Sequence, residues 1–354
     1  MRVGSTFLMN QKIKVVLVGC GNVSGSWLKP AAQHPGIEIA GLVDLNETAA
    51  RKRAAEFGLG GAEIGTDLEA MLDRTGPDAV FDCTVPEARW TVVSAALRRG
   101  CHVLAEKPMA DSLENARAMI AAARQAGKLY TVMQNRRYDE RVRRIRRLLD
   151  TGAIGPVTTV NCDFYLAPRF GGFRERMRHV LLLDMAIHTF DAARVICGAD
   201  PAAVYCREWN PSGSWYEHGA SAMAVFEMAG GATFNYRGSW CAPGLSTTWN
   251  GEWRVIGECG TVKWNGGDLL QAQATVSTGG PKPEVKEIEI PPCDAPEKAG
   301  GHQGCIGEFI RCVQTGAVPE TVGTDNIQSL AMVFGAIESA ETGQRVEINP
   351  TNPN

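Results

Sequence analysis

Residues 12–33 read KIKVVLVGCGNVSGSWLKPAAQ, and the fold is decided there. The first seven residues are an apolar, β-branched run of the kind that forms a strand buried on both faces. Gly19 and Gly21 interrupt it, and the residues up to Gln33 have helical composition. A second apolar run, IEIAGLVDLN at 37–46, precedes the helical stretch ETAARKRAAEF, which stops at Gly58. Together these make a β-α-β unit. The alternation continues outward with DLEAML as a short helix, DAVFDCTV (78–85) as a strand and EARWTVVSAALRR as a helix closed by Gly100. CHVLAEK (101–107), SLENARAMIAAARQAG and LYTVMQN (129–135) read as strand, helix and strand, with Ser112 and Glu114 as cap residues and Gly127 as the stop. Strands separated by helices require right-handed crossovers and so predict a doubly wound parallel sheet of the Rossmann type, an α/β fold.

The glycine loop carries the first chemistry. Gly19 permits a tight turn, and Gly21 lets the backbone approach a pyrophosphate, which the N-terminus of the following helix attracts. Asp44 follows Gly21 by 23 residues, at the end of the second strand. That is close to the ~20-residue spacing of the acidic residue that holds ribose hydroxyls in dinucleotide sites. A carboxylate there repels a 2′-phosphate, so NAD is expected over NADP. Ser24 replaces the third glycine of the G-x-G-x-x-G pattern, with Gly25 one place later, so helix–strand packing is expected to differ at that point.

Composition excludes several other classes. The chain has 354 residues, a length that suggests about two domains. Hydrophobic residues are 44% and charged residues 21%, which fits packed cores and not disorder. Lys plus Arg total 36 against 39 Asp plus Glu, a formal charge of −3 that offers nucleic acid no basic field. Eleven cysteines without a C-x-x-C pair, most of them in apolar runs, argue against a disulfide framework or zinc ribbon and for a reducing, cytoplasmic setting. The opening MRVGSTFLMNQKIK has no apolar signal core, and no run of ~18 apolar residues follows, so neither export nor a membrane span is expected. Histidines at 34, 102, 179, 188, 218 and 302 lack ligand spacing, H-E-x-x-H, EF-hand and Walker A patterns are missing, and no metal is expected. The N-x-S/T matches at Asn22 and Asn46 fall in the glycine loop and the turn after the second strand, and read as chance.

An ordered set of segments carries a family resemblance. GCGN (19–22), DLN (44–46), TVPEAR (84–89), AEKP (105–108) and DMAIHTFD (184–191) run in sequence, followed by WRVIGECGTV (253–262) and NIQSLAMVFGAIESAETGQRVEI (326–348). With RRLLDTGAIGPV (146–157), they make the chain similar, over nearly its whole length, to the Gfo/Idh/MocA family of sugar and cyclitol oxidoreductases. The resemblance implies an NAD-binding Rossmann domain at 12–135 after a flexible extension at 1–11. It further implies a C-terminal α+β domain at 136–354 with a large open antiparallel sheet, an active site in the cleft between the domains, and a homodimer or homotetramer formed through that sheet.

Carried over residue by residue, the resemblance implies cofactor contacts from Gly19, Gly21, Asn22, Val23, Asp44, Asn46, Thr84, Pro86, Glu106, Lys107 and Asn135. Lys107 sits at the carboxyl end of a strand, where open parallel sheets bind ligands, and its ammonium suits a reacting hydroxyl as charge develops on it. Pro108 biases Lys107 to an extended backbone. Asp184 and His188 are four apart, hence on one face of a helix. The resemblance gives His188 the hydroxyl proton, work suited to an ordinary imidazole pKa of ~6.5, and Asp184 a contact to substrate. A buried helix with a satisfied core histidine is the bland alternative for VLLLDMAIHTFDAARVI.

Further substrate contacts are expected from Asn135, Arg169 in the loop YLAPRFGGF (165–173), Arg178, His179 and Tyr236. RERMRHVLLLD (174–184) stands where relatives have small residues, so Arg178 and His179 either recognise an anionic or densely hydroxylated substrate or begin a solvated helix. Trp215, Tyr216, Tyr236, Trp240 and Trp249 offer faces to sugars or fill a core or subunit interface. The arginine-rich RRYDERVRRIRR (136–147) reads as a solvated linker helix, and the Pro-rich segment at 279–301 as a connector ending near His302 and Gln303. Three functions remain: an NAD-dependent dehydrogenase; a glycosidase using NAD through oxidation, elimination and re-reduction, which needs another base such as Tyr236 or His179; and a non-catalytic sensor, for which Lys107 and His188 would be superfluous.

Overall fold

The computed structural model describes residues 12–350 apart from 278, 280, 281 and 294. The extension expected at 1–11 lies outside the described residues. The chain forms two compact units, one of residues up to 138 together with 297–327, the other of 139–296 together with the chain from 328 on.

In the first unit, β1 (Ile13–Val18), β2 (Ile37–Val43), β3 (Glu63–Gly65), β4 (Ala79–Asp82), β5 (His102–Ala105) and β6 (Tyr130–Val132) form one sheet in the order β3-β2-β1-β4-β5-β6. Every pairing is parallel. The order reverses between β1 and β4, the switch point where the carboxyl ends of strands open a crevice for ligands. The β3 strand has one large apolar residue, Ile64, in three positions, too little to stand out in the sequence. Burial of both faces explains the apolar runs: Val15, Val16, Leu17, Val80 and Phe81 are fully buried. The helix His302–Thr315 belongs to this unit and closes one face. Phe309 packs edge-on against Phe81 at 6.1 Å, and Phe81 against Trp27 at 5.4 Å. Each such fully buried side chain contributes about 1.5–3 kcal/mol by leaving water.

The second unit is built on a nine-stranded sheet. Its strands are β7 (Val157–Tyr165), β8 (Pro201–Trp209), β9 (Ser221–Met228), β10 (Thr233–Ser239), β11 (Glu252–Gly257), β12 (Gly260–Trp264), β13 (Leu270–Ser277), β14 (Glu284–Glu287) and β15 (Val346–Glu347). They lie in the order β14-β13-β12-β11-β7-β10-β9-β8-β15. The sheet is antiparallel except where β10 pairs with β7 in parallel, which makes it mixed. Alternate side chains turn inward, and Phe190 on the helix Ile187–Cys197 packs against Phe226 at 4.8 Å and Tyr236 at 5.2 Å. The opposite face carries Tyr205, Met223 and Val225, each about half exposed.

The arginine-rich segment departs from expectation. It starts as a 3-10 turn, Asn135–Tyr138, and continues as the helix Glu140–Asp150. Its arginines are tethers more than a solvated face: Arg144 donates to the carbonyls of Ile290 and Pro291, and Arg147 to that of Pro292. Arg137, nearly buried, donates to Asp325 at 3.0 Å. No helix of the described residues is long and apolar enough to cross a membrane.

Candidate active site

A groove of about 740 Å³ opens at the switch point of the first unit, lined by Gly19, Gly21, Asp44, Leu45, Thr84 and Val85 among others. Its shape follows from the glycines. Gly19 has φ +88°, and a Cβ there would lie 2.8 Å from the Cys83 carbonyl carbon, so only glycine lets the loop cross this close to β4. A Cβ on Gly21 would meet nothing within 4 Å. Gly21, Asn22 and Val23 are exposed, and no side chain caps the first turn of the helix Ser24–Gln33. Open space, backbone N–H groups and the positive end of a helix dipole suit a pyrophosphate. Asp44 fixes the loop while lining the groove: it accepts from the Cys20 N–H at 2.7 Å and the Asn46 N–H at 2.8 Å. Asn46 caps the next helix through Thr48 N.

Ser24 answers the missing third glycine. Fully buried, its hydroxyl donates to the Gly21 carbonyl at 2.6 Å and accepts from Arg53 Nε at 3.1 Å. Arg53 also donates to the Gly21 carbonyl at 2.9 Å. A serine and an arginine thus brace a turn that elsewhere depends on close packing. Burial pushes the Cys20 thiol up to about 12, which leaves no reactive thiolate in this loop.

A second layer holds the turns after β4 and β5. Asp82 and Arg89, both without solvent exposure, pair at 3.3 Å. Asp82 also accepts from the backbone N–H and hydroxyl of Thr84, and Arg89 donates to the carbonyls of Thr84 and Pro108. One buried ion pair therefore ties the Thr84–Pro86 turn to the turn carrying Lys107. Glu106 accepts from Trp27 Nε1 at 2.8 Å and from the Lys107 N–H at 2.9 Å. The half-buried Lys107 leads into a cis peptide with Pro108. Asn135 lies 3.4 Å from His302 Nδ1, and burial pushes the His302 pKa below its ordinary value. Sequence reading passes over Arg53, Asp82 and Arg89, because each looks like an ordinary charged residue until its partner is known.

The second unit carries Asp184 and His188. The helix opens with a π segment, Leu181–Ala186, before the α-helical Ile187–Cys197. A spacing of four falls just past one turn in an α-helix and just short of one in a π-helix, so the two stay on one side. Asp184 accepts from Arg174 Nε at 2.6 Å. The guanidinium of Arg169 lies over the Trp215 ring at 4.2 Å. Arg178 is 69% exposed and 3.8 Å from Glu341. His179, at φ +52°, is held by Glu208 at 2.6 Å and approached by Glu341 at 3.4 Å, and the Glu208 hydrogen bond raises its pKa. Tyr236 lies in the core, where burial drives its hydroxyl pKa well above the ordinary value and leaves the oxygen without a hydrogen-bond partner among the described residues. Tyr216 and Trp240 are also core residues, whereas Trp249 is 46% exposed. No cluster of His, Cys, Asp or Glu among the described residues could hold a metal ion.

Family models match both units: an oxidoreductase family, NAD-binding Rossmann fold at residues 13–134, and a GFO/IDH/MocA C-terminal domain at 142–263. The chain is 25% identical to 1,5-anhydro-D-fructose reductase of Ensifer adhaerens, covering 94% of this chain and 97% of that protein. It is 26% identical to inositol 2-dehydrogenase of Streptomyces avermitilis, covering 96% and 95%. An oxidoreductase of Agrobacterium radiobacter, solved with NAD+, L-tartaric acid and magnesium, has the same fold, with a TM-score of 0.83 at 22% identity over 96% of this chain and 99% of that one.

Proposed function

The chain belongs to the GFO/IDH/MocA oxidoreductase family, and from that premise we propose that it transfers hydride between a secondary alcohol of a sugar, cyclitol or glycoside and the nicotinamide of NAD. The observation that carries this reading is the groove at the β1/β4 switch, where an open Gly21 and the Asp44 carboxylate fit a pyrophosphate and a ribose diol. Bound there, the dinucleotide supplies the hydride acceptor or donor. The glycine loop holds the phosphates; Thr84, Pro86, Glu106 and Asn135 shape the remainder of the cofactor site. Lys107 hydrogen-bonds the reacting oxygen and stabilises its charge as the proton departs, His188 takes or returns that proton, and Asp184 orients the substrate. The reductase and the inositol dehydrogenase named above support a polyhydroxylated substrate.

In this reading the six-stranded unit is the cofactor domain and the nine-stranded unit the substrate domain. Exposed Tyr205, Met223 and Val225 support pairing of that sheet in a homo-oligomer. The cysteines, most of them buried and without a C-x-x-C pair, support a reducing cytoplasm. The glycosidase alternative lacks a ready second base, since Tyr236 is buried and His179 is engaged by Glu208.

Cofactor choice is testable at Asp44. Asp44→Ala should weaken NAD+ and narrow the preference over NADP+ by about 10-fold or more, the scale of a hydrogen bond to a charged group. Isothermal titration with both dinucleotides checks it; unchanged selectivity would move the ribose contact elsewhere.

A further inference from the structure

Beside Asp184 stands a residue to which no role has been given. Arg174, in the short helix Phe173–Arg176, spends its Nε–H on Asp184 at 2.6 Å, yet its side chain is 34% exposed. A guanidinium has five N–H groups. The four on the terminal nitrogens of Arg174 make no hydrogen bond to the described residues. The group lies over Phe173 at 4.8 Å and Phe170 at 5.3 Å, and these rings are themselves 59% and 50% exposed. The open fork is thus held along one edge by Asp184 and lies over two rings.

The neighbours restrict what can bind. Arg169, stacked on Trp215, is a donor only, and so is Trp240, whose ring lies 5.7 Å from Phe170 and whose buried indole N–H has no acceptor among the described residues. Of the nearby carboxylates, Asp184 accepts from Arg174 through Oδ2 and Glu175 from the Gly171 N–H through Oε1 at 3.2 Å. At the open fork itself a ligand meets only donors and must bring acceptors. A hydroxyl both donates and accepts, whereas a carboxylate only accepts and matches the planar fork with two parallel bonds. The exposed rings meanwhile suit the C–H face of a sugar.

We infer that Arg174 is a specificity-determining residue whose open fork binds the carboxylate of a sugar acid, the carbinol of that acid being the group oxidised. This rests on the dehydrogenase reading for the second half of the statement only.

Tryptophan fluorescence of the full chain, titrated with glucuronate and gluconate and in parallel with glucose and glucitol, reads binding without turnover. The acids should bind about 10- to 100-fold more tightly than their neutral counterparts, the scale of a charge-assisted hydrogen-bonded pair. Arg174→Gln should bring that ratio close to one, and Arg174→Lys, which keeps the charge and loses the fork, should restore part of it. Equal binding of acids and neutral sugars by the unaltered chain, or an acid preference that survives in Arg174→Gln, overturns the inference. Assays for NADH with the same compounds separate the two readings. Acid preference without NADH from any compound leaves the carboxylate site and removes the dehydrogenase, whereas NADH from neutral sugars with no acid preference does the reverse.

Discussion

Replacing His188 by alanine is expected to lower kcat by about 10²- to 10⁴-fold, the usual contribution of a positioned acid–base group. The loss should sit in kcat and leave NAD+ affinity intact, because His188 belongs to the second unit and the dinucleotide groove to the first. Lys107→Ala should cause a fall of similar size, since removing a donor from a developing oxyanion costs as much. Calorimetric NAD+ titration beside steady-state kinetics separates chemistry from binding. Full activity in His188→Ala would assign the proton to another group.

The largest effect on stability is expected at Arg89. Arg89→Met would leave the Asp82 carboxyl without its ion-pair partner and without access to water, a change that costs about 3–5 kcal/mol. For a unit of this size that corresponds to a fall of roughly 6–20 °C in Tm. The Thr84 and Pro108 carbonyls would lose a donor together, so NAD+ affinity should fall as well. Calorimetry checks both, and the double variant Asp82→Asn with Arg89→Met should recover part of the loss. A drop below about 1 kcal/mol in the single variant would show that the pair is not the tie between the two turns.

The first unit is the most legible part because its signals are local. A strand, a tight glycine turn and a helix sit within 22 residues, and their periodicities do not depend on distant contacts. Features that rest on distant partners stay hidden: residues 297–327 return to the first unit through contacts such as Phe309 against Phe81 and Tyr138 to Glu308, and nothing near Phe309 announces it. Arg89 reads as a helix-surface charge in EARW, and only the strand ending at Asp82 makes it a core residue. In RERMRH, Arg178 attracts attention in the sequence, yet a turn of short helix brings Arg174 to Asp184 and leaves Arg178 exposed. Ser24 shows the opposite case, a visible departure from a pattern whose cause, the brace from Arg53, is not visible.

The proposed function rests on net hydride transfer to a bound nicotinamide. The most direct test incubates the purified chain with NAD+ and a panel of free sugars, sugar acids, polyols and aryl glycosides, following NADH absorbance and released aglycone together. NADH formed in proportion to alcohol consumed is the predicted result; aglycone released without accumulation of NADH would contradict it.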